Sequence, residues 1–164
     1  MVEVAAYQDP ARNRYSYRLL DVVETVPPPE VGRALRLAEG ERVALRHRLT
    51  LHDEEPVELS WSYYPMSIAA GTELTGRRRI VGGAPKVLAD AGFPMIEYSD
   101  RLSARMPTPE EVALLALPPN VPVLRQFRVV VSREHRPVEV SVLVKGGHLH
   151  ELRYRQPVDQ GGRE

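Results

Sequence analysis

The sequence has no cysteine, which excludes disulfides, thiol nucleophiles and thiolate metal ligands. It has no apolar run approaching the roughly 20 residues that a membrane-spanning helix needs. It also lacks an excess of either charge: 22 basic side chains face 22 acidic ones, so the surplus of Lys and Arg that drives sequence-independent nucleic-acid binding is missing. The start, Met1-Val2-Glu3-Val4, has neither the basic nor the apolar region of a secretory signal, and the expected location is the cytoplasm. What is present is the composition of a soluble globule, 43% hydrophobic and 27% charged over 164 residues, a length suited to one domain. Lysine is scarce, Lys86 and Lys145 being the only two. A compositional bias accounts for most of the arginine, whose planar fork also suits it to carboxylate or phosphate.

The organisation shows as a near-repeat. Val31 to Ser60 runs as a helix-like stretch, an alternating strand, a charged turn and Pro56-Val57-Glu58-Leu59-Ser60. Val112 to Ser141 does the same and ends in Pro137-Val138-Glu139-Val140-Ser141. Strands at Val43 to Leu51 and Val123 to Val131, each followed by a polar turn, predict two β-hairpins. A short helix precedes each. Thr108-Pro109-Glu110-Glu111 supplies an N-cap hydroxyl, a first-turn proline and a capping-box glutamate, and Pro27-Pro28-Pro29-Glu30 does a similar job earlier. A third helix is expected from about Ala84 to Ala91, between Pro85 and Gly92, and a further strand from Ile96 to Met106. Tyr15 to Val26 and Leu149 to Tyr154 complete about six or seven strands. Hairpin connections favour an antiparallel sheet in an α+β fold.

No catalytic signature stands out: there is no Gly-x-Ser-x-Gly elbow, phosphate loop or His-Glu-x-x-His, and no metal or cofactor is expected. His148-x-His150 would place two imidazoles on one strand face without a convincing third ligand. Period-2 alternation gives a more informative constellation. Arg46, Arg48, Ser60, Ser62 and Tyr64 share one face of the first hairpin; Arg128, Glu139, Ser141 and Lys145 share that of the second. Such a face must be solvated, covered by a partner or built around a polar ligand, because unpaired burial of these groups costs several kcal/mol each. Gly82-Gly83 ahead of a helix offers bare N–H groups as an anion seat, with Arg77-Arg78-Arg79 close by in sequence.

The order of Val31-Gly32-Arg33-Ala34-Leu35-Arg36-Leu37, Arg46-His47-Arg48, Asp53 to Pro65 and Arg136-Pro137-Val138-Glu139-Val140-Ser141 resembles the UTRA domain. This is the effector-binding half of GntR-type bacterial transcription regulators of the HutC branch. The resemblance spans about Leu19 to Arg155 and implies a chorismate lyase-like fold, an antiparallel sheet with short flanking helices, small-molecule binding and homodimerisation. It implies ligand contacts for Arg48 and for Glu139. Ser60 stands where the family's sugar-phosphate sensors tend to have a glutamate, Gly83 and Pro85 stand near the family's loop serine and tyrosine, and Lys145 replaces an aromatic residue.

The resemblance thus implies a single sensing domain over 1–164 whose effector is a small polar or anionic metabolite. The site would draw on Arg46, Arg48, Ser60, Ser62, Tyr64, Gly82, Gly83, Glu139, Ser141 and Lys145. Regulators of this kind carry a winged helix-turn-helix of roughly 65–75 residues before the sensor. Here about 20 residues with Pro10 precede the first matching strand, so DNA contact is expected only through a head outside this chain. Two other readings remain at this point: elimination chemistry on an aromatic carboxylate, as in chorismate lyase, and a dimerisation partner with no ligand of its own.

Overall fold

A computed structural model of the chain describes residues 14–153 and 155–156. Six strands form one antiparallel sheet: β1 (Tyr15–Thr25), β2 (Val43–His52), β3 (Glu55–Pro65), β4 (Glu97–Arg105), β5 (Val123–Val131) and β6 (Pro137–Gly146). Their order, β1-β2-β3-β6-β5-β4, makes the sheet a repeat of one β-α-β-β unit about a pseudo-twofold axis between β3 and β6. Helices α1 (Pro29–Ala34) and α4 (Pro109–Leu114) connect the first and second strands of the two units. Between the units run α2 (Met66–Ala69), a 3-10 turn at Glu73–Thr75 and α3 (Gly83–Asp90).

Strand periodicity sorts the side chains onto two faces. On one, Val43, Tyr63, Phe127 and Val140 pack with Val31 and Leu35 around α1, and Leu49, Leu51, Leu59, Val123 and Val144 pack with Leu115 and Leu117 around α4. The other face is apolar only at one end. There Ala44, Tyr64 and Val130 meet Ile68, Leu74, Ile80, Val87 and Leu88 of the α2–α3 connection. Each fully buried side chain of this kind contributes about 1.5–3 kcal/mol. The remainder of this second face carries the polar residues.

Helix ends are set locally. Thr108 closes the expected capping box on α4: its hydroxyl accepts from the Glu111 N–H at 3.2 Å, and Glu111 Oε2 accepts from the Thr108 N–H at 2.9 Å. Pro28 leaves α1 without a side-chain cap. Both helices finish alike. Leu37 N–H donates to the Gly32 carbonyl and Leu117 N–H to that of Val112, with Arg36 and Ala116 left-handed at φ 57° and 47°. Asp53 and Glu54 both hold positive φ in the two-residue turn of the first hairpin, the conformation that matches strand twist there.

One expected element is absent. Residues 149–153 are turn and irregular structure, and Tyr154 lies outside the described residues. The reason is topological: β6 lies between β3 and β5, so chain leaving it would have to cross to an outer edge of the sheet, at β1 or β4, to pair.

Candidate functional site

Pairing register turns the polar face into rows. Arg46, Ser62, Ser141, Arg128 and Asp100 lie side by side across five strands, and Arg48, Ser60, Leu143, Gln126 and Leu102 form the next row. The strands thus bring together Arg46, Arg48, Ser60, Ser62, Tyr64, Glu139, Ser141 and Lys145. Ser60, Ser62, Tyr64, Glu139 and Ser141 are buried.

A directed hydrogen-bond chain crosses the pseudo-axis. Arg48 Nη2 donates to Ser62 Oγ at 2.9 Å, Ser62 and Ser141 share a 2.7 Å contact, and Ser141 Oγ donates to Glu139 Oε1 at 2.5 Å. A hydroxyl has one proton. With Ser141 committed to Glu139, Ser62 is the donor to Ser141, and donation runs from guanidinium to carboxylate. Burial pushes the Glu139 carboxyl above its ordinary value, against the opposing pull of Ser141, Arg48, Tyr64 and Arg128. Burial and the Glu139 charge also raise the Tyr64 phenol. Glu139 and Ser62 are polar neighbours of its hydroxyl, which completes no well-formed hydrogen bond. This buried donor is available to an exchange of partners.

Two pairs flank the chain. Arg128 grips Asp100 through Nε and Nη2, both at 2.8 Å, while Gln126 donates to the same carboxylate and accepts from Lys145 Nζ. Burial raises the Asp100 carboxyl, but the bonds and charge of Arg128, the Gln126 bond and the Lys145 charge outweigh it and leave it below the usual range. Lys145 closes the row on Glu58 at 3.0 Å. Asp100, Gln126 and Glu58 are polar neighbours of this row that sequence reasoning did not select. The signal was available: even-numbered alternation along β4 and β5 puts Asp100 and Gln126 on the face of Arg128.

Arg46 differs from the rest. Its guanidinium donates to four carbonyls of the α2–α3 connection, those of Glu73, Leu74, Gly76 and Arg78, at 2.6–3.2 Å. Two of the three consecutive arginines hold the same connection against β1. Arg77 pairs with Asp21, Arg79 lies over the Tyr17 ring, and the Arg78 carbonyl accepts from Arg46. Arg48 approaches that tyrosine as well, 5.8 Å from the ring centroid. Gly82 and Gly83 sit at the other end of the connection. Gly82 must be glycine, since φ is 83° and a Cβ would lie 2.8 Å from Lys86 Cδ. The Gly83 N–H donates to the Ile80 carbonyl, which uses one donor of the expected anion seat.

A family model described as the UTRA domain matches residues 11–149. The chain belongs to the UTRA family. It is similar to an HTH-type transcriptional regulator of Streptomyces coelicolor, 31% identical over 156 residues that cover 88% of this chain and 56% of that protein. The fold matches the ligand-binding domain of a GntR-family regulator from Bordetella bronchiseptica, with TM-score 0.73 at 24% identity, over 88% of this chain and 91% of that one. It also matches the C-terminal domain of the histidine utilization repressor from Pseudomonas syringae, with TM-score 0.74 at 21% identity, over 88% and 100%. This UTRA domain spans about half the length of the curated relatives it matches, which are transcriptional regulators. It is an effector-binding domain of a transcription regulator. No helix among its described residues is long and apolar enough to cross a membrane.

Proposed function

We propose that this UTRA domain senses a small anionic or polar metabolite on the polar face of its sheet, as a homodimer in the cytoplasm, and passes the signal to a DNA-binding head outside this chain. The observation that carries the reading is the Arg48–Ser62–Ser141–Glu139 chain. Ser62, Ser141 and Glu139 are buried, Arg48 is half-buried, and all four are already bonded, so a ligand must replace those bonds one for one and must itself be polar. Charge favours an anion. Arg46, Arg48, Arg128 and Lys145 face Asp100, Glu58 and Glu139, and burial drives the last toward its neutral form. The ligand acts by binding one arrangement of the dimer better than the other, which is the sole route by which it shifts their populations. No reaction is required of these residues, and chorismate is expected to leave unchanged.

The test is a metabolite screen by thermal stabilisation, repeated on Arg48→Ala. A true effector raises the wild-type midpoint and loses most of that shift in the variant. A hit whose shift survives the substitution removes this site from consideration.

A further inference from the structure

A cleft lies on the opposite face of the sheet from the polar rows, between α1 and the β4–β5 pair, with a volume of about 470 Å3. Its floor is Phe127, Val129 and Ala34; Arg33, Ser99, Arg101 and Glu30 complete the lining. The guanidinium groups of Arg101 and Arg125 lie over the Phe127 ring, 4.7 and 5.3 Å from its centroid. Both also donate to the Glu30 carboxylate, at 2.5 and 2.8 Å, so the ring and the carboxylate together position them. Two guanidinium groups line the cleft, those of Arg33 and Arg101, and Arg125 reaches its Glu30 carboxylate from beside it, so that three positive charges stand against one negative. We infer that this cleft is a binding site for a small organic dianion held by Arg33 and Arg101, with Arg125 in support, in competition with the chain's own Glu30 carboxylate.

The repeat supplies an internal control. In the other unit, Glu110 stands for Glu30, Ala113 for Arg33, Leu114 for Ala34, Leu45 for Arg125, His47 for Phe127 and Leu49 for Val129. Asp21 pairs with His47 as Arg101 pairs with Phe127. At these matching positions the other unit carries no arginine, and its His47 ring stacks on Trp61 at 4.4 Å; the arginine that α4 does use, Arg105, pairs with Glu111 instead. The repeated fold therefore does not require arginine at these three positions, and a ligand gives them a purpose. The volume lies within the roughly 300–1,000 Å3 of small-molecule sites, and the floor accepts an apolar body. Glu30 can yield, because its side chain is 40% exposed and that of Arg101 68%, and exposed ion pairs hold weakly.

The experiment titrates inorganic phosphate at pH 7.5 and constant ionic strength, followed by amide chemical shifts. The chains compared are wild type, Glu30→Gln, Arg101→Ala/Arg125→Ala and Arg48→Ala. Saturable shifts at Ala34, Ser99, Phe127 and Val129 are expected in wild type. Glu30→Gln, nearly isosteric and on the surface, should bind about tenfold tighter by freeing both forks, equivalent to about 1.4 kcal/mol. The double variant should bind at least tenfold more weakly, and Arg48→Ala should match wild type. Three results would overturn the inference: no gain in Glu30→Gln, equal binding by the double variant, or shifts that vanish in Arg48→Ala. The last would move the phosphate to the proposed effector face. Failure of the effector screen would leave all these readouts intact.

Discussion

Pro-Val-Glu occurs twice, at the start of the return strand of each hairpin, and its two glutamates meet different surroundings. Glu58 is half-buried and pairs with Lys145 at 3.0 Å. Glu139 is buried, takes its hydrogen bond from Ser141, and has its carboxyl pushed up by burial. The cause is not in the motif. The connection between β3 and β4 folds back over the end of the sheet that holds Glu139, packing Ile68, Leu74 and Leu88 beside Tyr64, whereas the described residues after β6 make only a turn and irregular chain. Insertion into one copy of a repeat thus converts a symmetric sheet into an asymmetric site. Helix starts diverge in the same way. Val31 fills the space under α1, and at the matching place under α4 stands Glu111, bound by two 2.7 Å contacts to Arg105. Either an apolar group or a fully paired charge satisfies a buried position.

This contrast can be broken most strongly at Arg46. Its counterpart in the other unit is Gln126. Arg46→Ala leaves four carbonyls of the 73–78 segment without their donor and should cost about 3 kcal/mol in chemical denaturation, against about 1 for Gln126→Ala. Amide exchange at residues 74–79 should accelerate in the first variant alone. Equal losses would mean that the insertion holds by its apolar contacts and that the tether is incidental.

Next in size is Glu111→Ala, which removes the cap and the bidentate pair together and should cost about 2 kcal/mol. Val31→Ala should cost a similar amount through a cavity, roughly 1–2 kcal/mol. The two differ in their response to acid. Arg105 is the main cause that holds the Glu111 carboxyl below its ordinary value of 4.5, so the pair's contribution is present above that pH and declines as pH falls through the depressed value. Denaturation midpoints of both variants across that range separate the mechanisms; parallel curves would show that the ion pair adds nothing to packing.

The smallest effect is expected at Glu139. A carboxyl raised in the folded state binds its proton more tightly there than in the unfolded chain. Folding stability therefore falls as pH rises from the ordinary value of 4.5 through the folded value. Glu139→Gln should flatten that slope and be the more stable chain at neutral pH, whereas Glu58→Gln should lose a little stability with its lysine partner. A variant at Glu139 that is less stable than wild type at neutral pH would show that the Ser141 bond outweighs the burial of charge.

The strands at Tyr15–Thr25, Val43–His52, Glu97–Arg105 and Val123–Val131 were legible because their alternation is local and each borders a turn signal. Leu149 to Tyr154 alternates too, yet alternation states only that a segment could pair, and β6 offers no open side. The polar face was legible for the same reason as the strands, since side-chain parity is a property of the chain itself. Arg46 misled within that face. Parity places it beside Arg48, but nothing in the sequence says that a segment some 30 residues later would present four carbonyls to it.

By itself the sequence determined the repeated unit, its hairpins, which residues share a face, and, through the order of its motifs, the family. Those features depend on neighbours in the chain: backbone pleat, turn chemistry and caps. Only the tertiary structure decided which glutamate is buried, which arginine tethers the 73–78 segment and which bonds Ser62, and where two arginines line a cleft. Burial and long-range pairing depend on what covers a residue, and coverage comes from elements far away in sequence.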